Sequence, residues 1–329
     1  TPAPSPAPAT PPAPAQPPAP APAPKPVQSS AGNRDVGLSV TDAAEPTYGW
    51  KGDFSSAQKA EIHNQLKTDL TQAVGMIDDV HTDGRLRGIA VEPMPQSGGN
   101  LMGSYNINWS GRYKHRISHK VAKQGGTQPK TTLVHEMGHM IDSDGIPMWR
   151  VAGGSADDPL LTFSEVIDRK QGAIHKMSDP MKGKFGNFFD MKLKDQKEFM
   201  SVFGVEPDPA TLEKINKVKK AWNRSDAVKN LRKRKNMPSY QAATVEGKEV
   251  MASVSKSHLK YLTSDDELWA RAYTQYVVEK SDDAVALAEL ATDLVETSQN
   301  VVYTTQWKQG DFDEIRESID ELFEFLGWI

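Results

Sequence analysis

Apolar residues recur at steps of four and three from Ile62 through Leu66, Leu70, Val74 and Ile77, which marks one face of a helix. Ser55 or Ser56 offers a hydroxyl N-cap, so the pattern predicts a helix from there to Val80. The period then shortens. Arg85 to Glu92, with Leu86, Ile89 and Val91, predicts a short strand, and Ser97-Gly98-Gly99-Asn100 a turn. Tyr105, Ile107 and Trp109 alternate with polar residues between Leu101 and Ser110, and Arg112 to Val121 reads as another extended piece. Helical spacing returns with Leu133, Val134, Met137, Met140 and Ile141, preceded by Pro129 near the first turn, where a missing amide hydrogen costs nothing. Ser143 to Asp158, rich in Gly, Pro and Asp, reads as a loop, Phe163 to Ile174 as a helix, and Met177 to Met191 carries loop signals only. Helices are predicted again at Lys192 to Phe203 and, after Asp208-Pro209, at Ala210 to Lys235.

Composition separates the first stretch from the rest. Residues 1–26 hold 13 of the 23 prolines, alternating mostly with alanine, so residues 1–31 are expected to form a disordered or polyproline II linker. The start at Thr1 suggests a processed fragment or a piece of a longer protein. No apolar run reaches the roughly 18 residues of a membrane span, and no charged start precedes an apolar block as in a signal peptide. These features leave the compartment open. There are no cysteines, so disulfides and thiolate metal ligands are excluded. The net charge of -4 gives no overall attraction to nucleic acid, yet basic residues crowd the stretch from Lys214 to Lys235. That stretch offers phosphates a partner, but a solvated helix with Leu212, Ile215 and Val218 facing inward is the preferred reading.

The chemistry concentrates in His135-Glu136-Met137-Gly138-His139. Two histidines four apart on a helix project their imidazoles one turn apart from one face, which suits two corners of a zinc tetrahedron. Glu136 between them is placed to take a proton from water activated by the metal. Gly138 weakens a helix interior by about 1 kcal/mol, so close packing is expected there, against a substrate-side strand. Asp142 lies on nearly the same face as His139 and can fix a ligand imidazole by accepting its N–H, or serve only as a helix-end acid. His115 and His119 repeat the spacing on a predicted strand, where residues four apart are about 13 Å distant. With Lys114, Arg116 and Lys120 beside them they read as solvated, and His63 and His81 as surface histidines.

A third ligand is sought on a later helix. Ser264-Asp265-Asp266-Glu267 opens one, with Leu268, Trp269, Ala272, Tyr273 and Tyr276 toward the core. Glu267 stands where a capping box would use it, so its two readings are metal ligand and cap.

HEMGHMID followed by DELWARAYTQYV resembles the gluzincin group of zinc metallopeptidases. It is most similar to the anthrax-lethal-factor-like subgroup and to zincin domains of phage head-morphogenesis and large polyvalent proteins. Glu267, Ala270, Ala272 and Tyr273 stand at the positions of that group's E-x-x-A-x-A-aromatic helix, and Gln306 to Trp328 resembles the tails of the phage-associated domains. The resemblance implies an α+β zincin-like metallopeptidase fold over residues 32–329, with a small mixed sheet, an active-site helix and a mostly helical C-terminal part. It implies Zn2+ held by His135, His139 and Glu267, Glu136 as general base, and a protein or peptide substrate, a phage or host protein among them. A tyrosine shortly before the ligand glutamate serves as transition-state donor in those relatives. Tyr261 matches it here, and His258 is the reserve. The 127 residues between His139 and Glu267 (140–266) exceed the thermolysin pattern, so a helical, basic insertion is expected around 177–250. A zincin that is catalytically idle and serves as a structural or nucleic-acid-contacting module of a phage particle is the alternative.

Overall fold

A computed structural model describes residues 39–40, 55–81, 89–94, 103–107, 115–120, 130–155, 158–169, 193–237, 240–245, 248–253, 255–294 and 306–329. The proline-rich stretch 1–31, the turn at 97–100, Trp109, Pro129 and the segment 177–191 lie outside them.

Helix α1 (Ser56–Val80) starts on a complete capping box: Ser55 Oγ accepts from Gln58 N, and the Gln58 side chain accepts from Ser55 N. Two of the orphan donors of the first turn are thereby satisfied. Its apolar stripe, Leu66, Leu70, Val74 and Ile77, is buried as the spacing predicts, with Ile62 packed partly against it.

Strands β1 (Ser39–Val40), β2 (Ile89–Met94), β3 (Gly103–Ile107) and β4 (His115–Lys120) form one sheet in the order β1-β2-β4-β3. β1, β2 and β4 run parallel, and β3 lies antiparallel to β4 at the edge. β2 overlaps the strand expected from Arg85 to Glu92, and residues 85–88 lie outside the described ones. Helix α2 (Lys130–Met140) packs on β3, β4 and α1. A π-helical turn, Ile141–Gly145, ends it, closed by Ile146 N–H to Ile141 C=O at 3.2 Å. The Tyr105 hydroxyl on β3 and Ser143 Oγ in this turn are 2.7 Å apart, which ties the edge strand to the helix end.

The rest of the chain is mostly helical: β5 (Trp149–Val151), α3 (Phe163–Arg169), α4 (Leu193–Phe203), β6 (Val205–Pro207), α5 (Pro209–Arg224) and α6 (Asp226–Lys235) come first. β7 (Tyr240–Val245), β8 (Lys248–Ser253), α7 (Lys256–Leu262), α8 (Asp265–Ser281), α9 (Ala284–Leu294) and α10 (Gln309–Leu326) follow. The architecture is α+β. Helix α8 is its axis, buried on every side from Glu267 to Val278 and packed on α1, α2, α7, α9 and α10. Among the described residues no helix is long and apolar enough to cross a membrane.

Several expectations need correction at the level of the fold. The loop expected over Ser143 to Asp158 contains the π turn and β5, because Trp149 is fully buried and its backbone pairs with β6 and with Leu161. The helix expected over Ala210 to Lys235 divides at Ser225, whose Oγ caps the second half by accepting from Val228 N. β7 and β8 form an antiparallel hairpin where no strand was expected. His81 is buried, its Nε2 3.0 Å from the Tyr273 hydroxyl, with Phe323 and Trp328 edge-on to its ring. Burial lowers its pKa to about 4.

The basic stretch packs against the acidic C-terminal helix. Lys214 and Lys217 both meet Glu321, Arg224 meets Glu314 at 2.9 Å, and Lys219 meets Asp265 at 2.7 Å. Ile215 and Val218 are buried beneath, and Leu212 packs partly against the core. These cations therefore already have carboxylate partners within the chain.

Candidate metal centre

Two helices bring the chemistry together. α2 and α8 approach so closely that a Cβ added at Gly138 would sit 3.0 Å from Ala270 Cα and 3.2 Å from the Tyr273 ring. A glycine is needed there, and its close neighbour is the helix carrying Glu267, not the strand expected from sequence. Trp269 Nε1 donates to the Gly138 carbonyl at 2.9 Å and fixes the two helices lengthwise. The N-terminus of α2 is held from outside: Glu289 on α9 accepts from Thr131 N at 3.3 Å, and Lys130 lies 3.6 Å from Asp283. A carboxylate at that end also complements the helix dipole.

His135 and His139 stand one turn apart with ring centroids 4.9 Å apart and planes at 90°. Glu267 Oε2 lies 3.4 Å from His135 Nε2 and 3.6 Å from His139 Nε2. It is buried and makes no hydrogen bond. Zinc ligands about 2.0–2.1 Å from the ion stand about 3.3–3.4 Å apart in a tetrahedron, so these separations suit atoms that share a cation better than atoms that share a proton. The three ligand atoms all fall within 4.8 Å of one another, and this group could hold a metal ion. Ser264 begins α8, yet its Oγ donates to Tyr261 C=O at 2.7 Å instead of capping the helix. The capping box does not form, and Glu267 turns toward the imidazoles.

The electrostatics follow from that cluster. Burial alone would raise the Glu267 carboxyl, but the facing imidazoles hold it well below the usual carboxylate range. Burial alone would lower His139, but Glu267 and Glu136 push it up to about 9. Glu136 is buried and its carboxyl is raised, first by desolvation, with His135, His139 and more weakly His119 acting against that rise.

Tyr261, at the end of α7, is 49% exposed as a residue. Its phenol is nevertheless raised above its ordinary value by burial and then by the Glu267 and Glu136 carboxylates. His258 is exposed and stacks on Tyr261 at 6.0 Å between centroids. Asp142 is buried in the π turn, three residues past His139.

Gly103, which sequence reasoning passed over, lies against Glu136, and His119, read there as solvated, is buried on the next strand. A Cβ at Gly103 on β3 would lie 2.7 Å from Glu136 Oε1 and 2.9 Å from Thr132 Cγ2, so a side chain there would displace the carboxylate from its present place. Gly103 pairs in register with His119 on β4, which is fully buried, not solvated, with Nε2 3.6 Å from Asp69 Oδ2 on α1. Strand period was the available signal: it puts His119 on the face of Ile117, away from Lys114, Arg116 and Lys120.

Compared with protein-family models, with curated proteins and with solved structures, the chain gives no match.

Proposed function

We propose that the chain is a zinc-dependent endopeptidase of the gluzincin type with a zincin-like fold. The observation that carries this reading is the convergence of His135 Nε2, His139 Nε2 and Glu267 Oε2, with Glu136 buried at their side. Two imidazoles and one carboxylate at tetrahedral spacing, without sulfur, favour zinc among the common divalent ions. Zinc held by these three residues would lower the pKa of a water toward about 7 and polarise a carbonyl oxygen.

The chain's own groups supply the rest. Glu136 accepts the proton of the attacking water and passes it to the amide nitrogen that leaves. Its carboxyl, raised by burial, is suited to that return step. Tyr261 stays a protonated phenol and donates a hydrogen bond to the carbonyl oxygen as negative charge grows on it. β3, which among the described residues pairs with β4 alone, leaves an outer edge where an extended peptide can add as a further strand past Glu136. Asp142 is the group assigned to orient a ligand imidazole. The substrate is a protein or peptide, and the phage-related resemblance directs the search to phage and host proteins.

The test is cleavage of a peptide library by the zinc-loaded chain with and without chelator. Glu136→Gln is expected to retain the metal and lose about 10²–10⁴-fold in turnover. Metal-loaded wild type that cuts nothing overturns the peptidase and leaves an idle zincin.

A further inference from the structure

Behind Glu136 lies a layer of buried groups that the proposed reaction does not use. His119 is fully buried on β4, and neither ring nitrogen has a hydrogen-bond partner. Its Nε2 faces Asp69 Oδ2 at 3.6 Å, and Asp69 is itself buried on α1, its Oδ1 accepting from Gln65 at 2.7 Å. A buried histidine without a hydrogen bond is costly, so its retention in a well-packed sheet calls for a reason. The register supplies one. His119 is directly opposite Gly103, and the space left by the missing side chain of Gly103 is filled by the Glu136 carboxylate. Side chains directly opposite on antiparallel strands share a face about 4.5–5.5 Å apart, so the imidazole and the carboxylate occupy neighbouring positions on one surface of the sheet.

We infer that His119, backed by Asp69, is a positioning residue for Glu136: it holds the carboxylate in the Gly103 slot, turned toward His135 and His139. Gly103 provides the room, His119 the wall beside the slot on the same face of the sheet, and Asp69 the contact at 3.6 Å that keeps the imidazole in place. The inference rests on the proposed metal site, and it adds a role for residues outside the HExxH helix.

Co(II) serves as the probe, loaded into the full chain. His119→Phe is expected to keep one equivalent of cobalt, lower kcat about tenfold with little change in KM, and shift the visible cobalt band. His119→Gln, which keeps a polar side chain between Asp69 and Glu136, should recover most of the lost kcat. In a Glu136→Gln background His119→Phe should shift the band no further, because it acts through Glu136. An unchanged band and kcat in His119→Phe, or an equal band shift in both backgrounds, overturns the inference. If His119→Phe does not fold, Asp69→Asn decides: a smaller change in the same direction supports it, and none overturns it. Wild type that binds no cobalt removes the metal site and this inference together. Wild type that binds cobalt and cleaves peptide while both buried variants behave normally leaves the metal site standing and removes the inference alone.

Discussion

The chain contains the same histidine spacing twice, once on β4 as His115 and His119 and once on α2 as His135 and His139. On the helix the rings are 4.9 Å apart and share the Glu267 carboxylate. On the strand the same four residues span about 13 Å, and His119 is drawn instead to Asp69 on another helix. A spacing acquires chemical meaning only from the period of the element that carries it. The helical pair becomes a candidate ligand set, and the strand pair divides into a buried residue and a separate neighbour.

Metal content is the largest lever on that contrast. After dialysis against zinc, His139→Ala and Glu267→Ala should keep less than about a tenth of an equivalent by elemental analysis, while His115→Ala keeps a full one. Equal loss from His115→Ala breaks the distinction. Histidine environment sharpens it next, because His81 and His139 depart from the usual value in opposite directions. The unfolded chain takes up a proton on His81 near pH 6.5, whereas the folded imidazole resists until about pH 4. Stability from this site is whole above pH 6.5, is lost as the pH falls to about 4, and amounts to about 3 kcal/mol. Urea titrations at pH 7 and pH 4 should show that loss in wild type and not in His81→Gln. In the metal-free chain His139 contributes in the other direction: its share is complete below pH 6.5 and is lost as the pH rises through about 9.

Helix contact gives a smaller effect. Gly138→Ala forces a Cβ to within 3.0 Å of Ala270 Cα and should destabilise by about 2 kcal/mol, with weaker zinc binding in a competition assay. An unchanged midpoint shows that α2 and α8 can separate freely. Smallest is Asp282→Gly at the end of α8, where an aspartate holds a left-handed φ of 54°. Relief of that strain should raise thermal stability by about 0.5–1 kcal/mol, and a lower melting midpoint would assign the aspartate side chain a contact that outweighs it.

Local signals carried much of the fold into view. Ser55 and the stripe from Leu66 to Ile77 mark α1 because cap and periodicity both act within one helix. HEMGH and Glu267 are legible because their residue types suit one ion, and the structure brings those three ligands together. The β7–β8 hairpin was not legible. Gln241, Ala242 and Ala243 offer no apolar alternation, so its pairing depends on backbone register rather than on side-chain pattern. The break at Ser225 carried a signal, a serine followed by aspartate, that the long basic run obscured. His119 and His81 misled because burial is set by what packs from distant parts of the chain, here Asp69 and the aromatic group of Tyr273, Phe323 and Trp328.

The indole bond from Trp269 to Gly138 bears on how the ion arrives. His139 and Glu267 are separated by residues 140–266, and bringing the ends of so long a loop together carries a substantial entropic cost. Packing of α8 against α2 offsets that cost without a cation, so capture would be a local event at a seat already shaped, and release would leave the seat standing. The apo chain should accordingly keep its native compactness and reload without refolding, so that exchange is set by access and ligand protonation rather than by reassembly of the two halves of the chain.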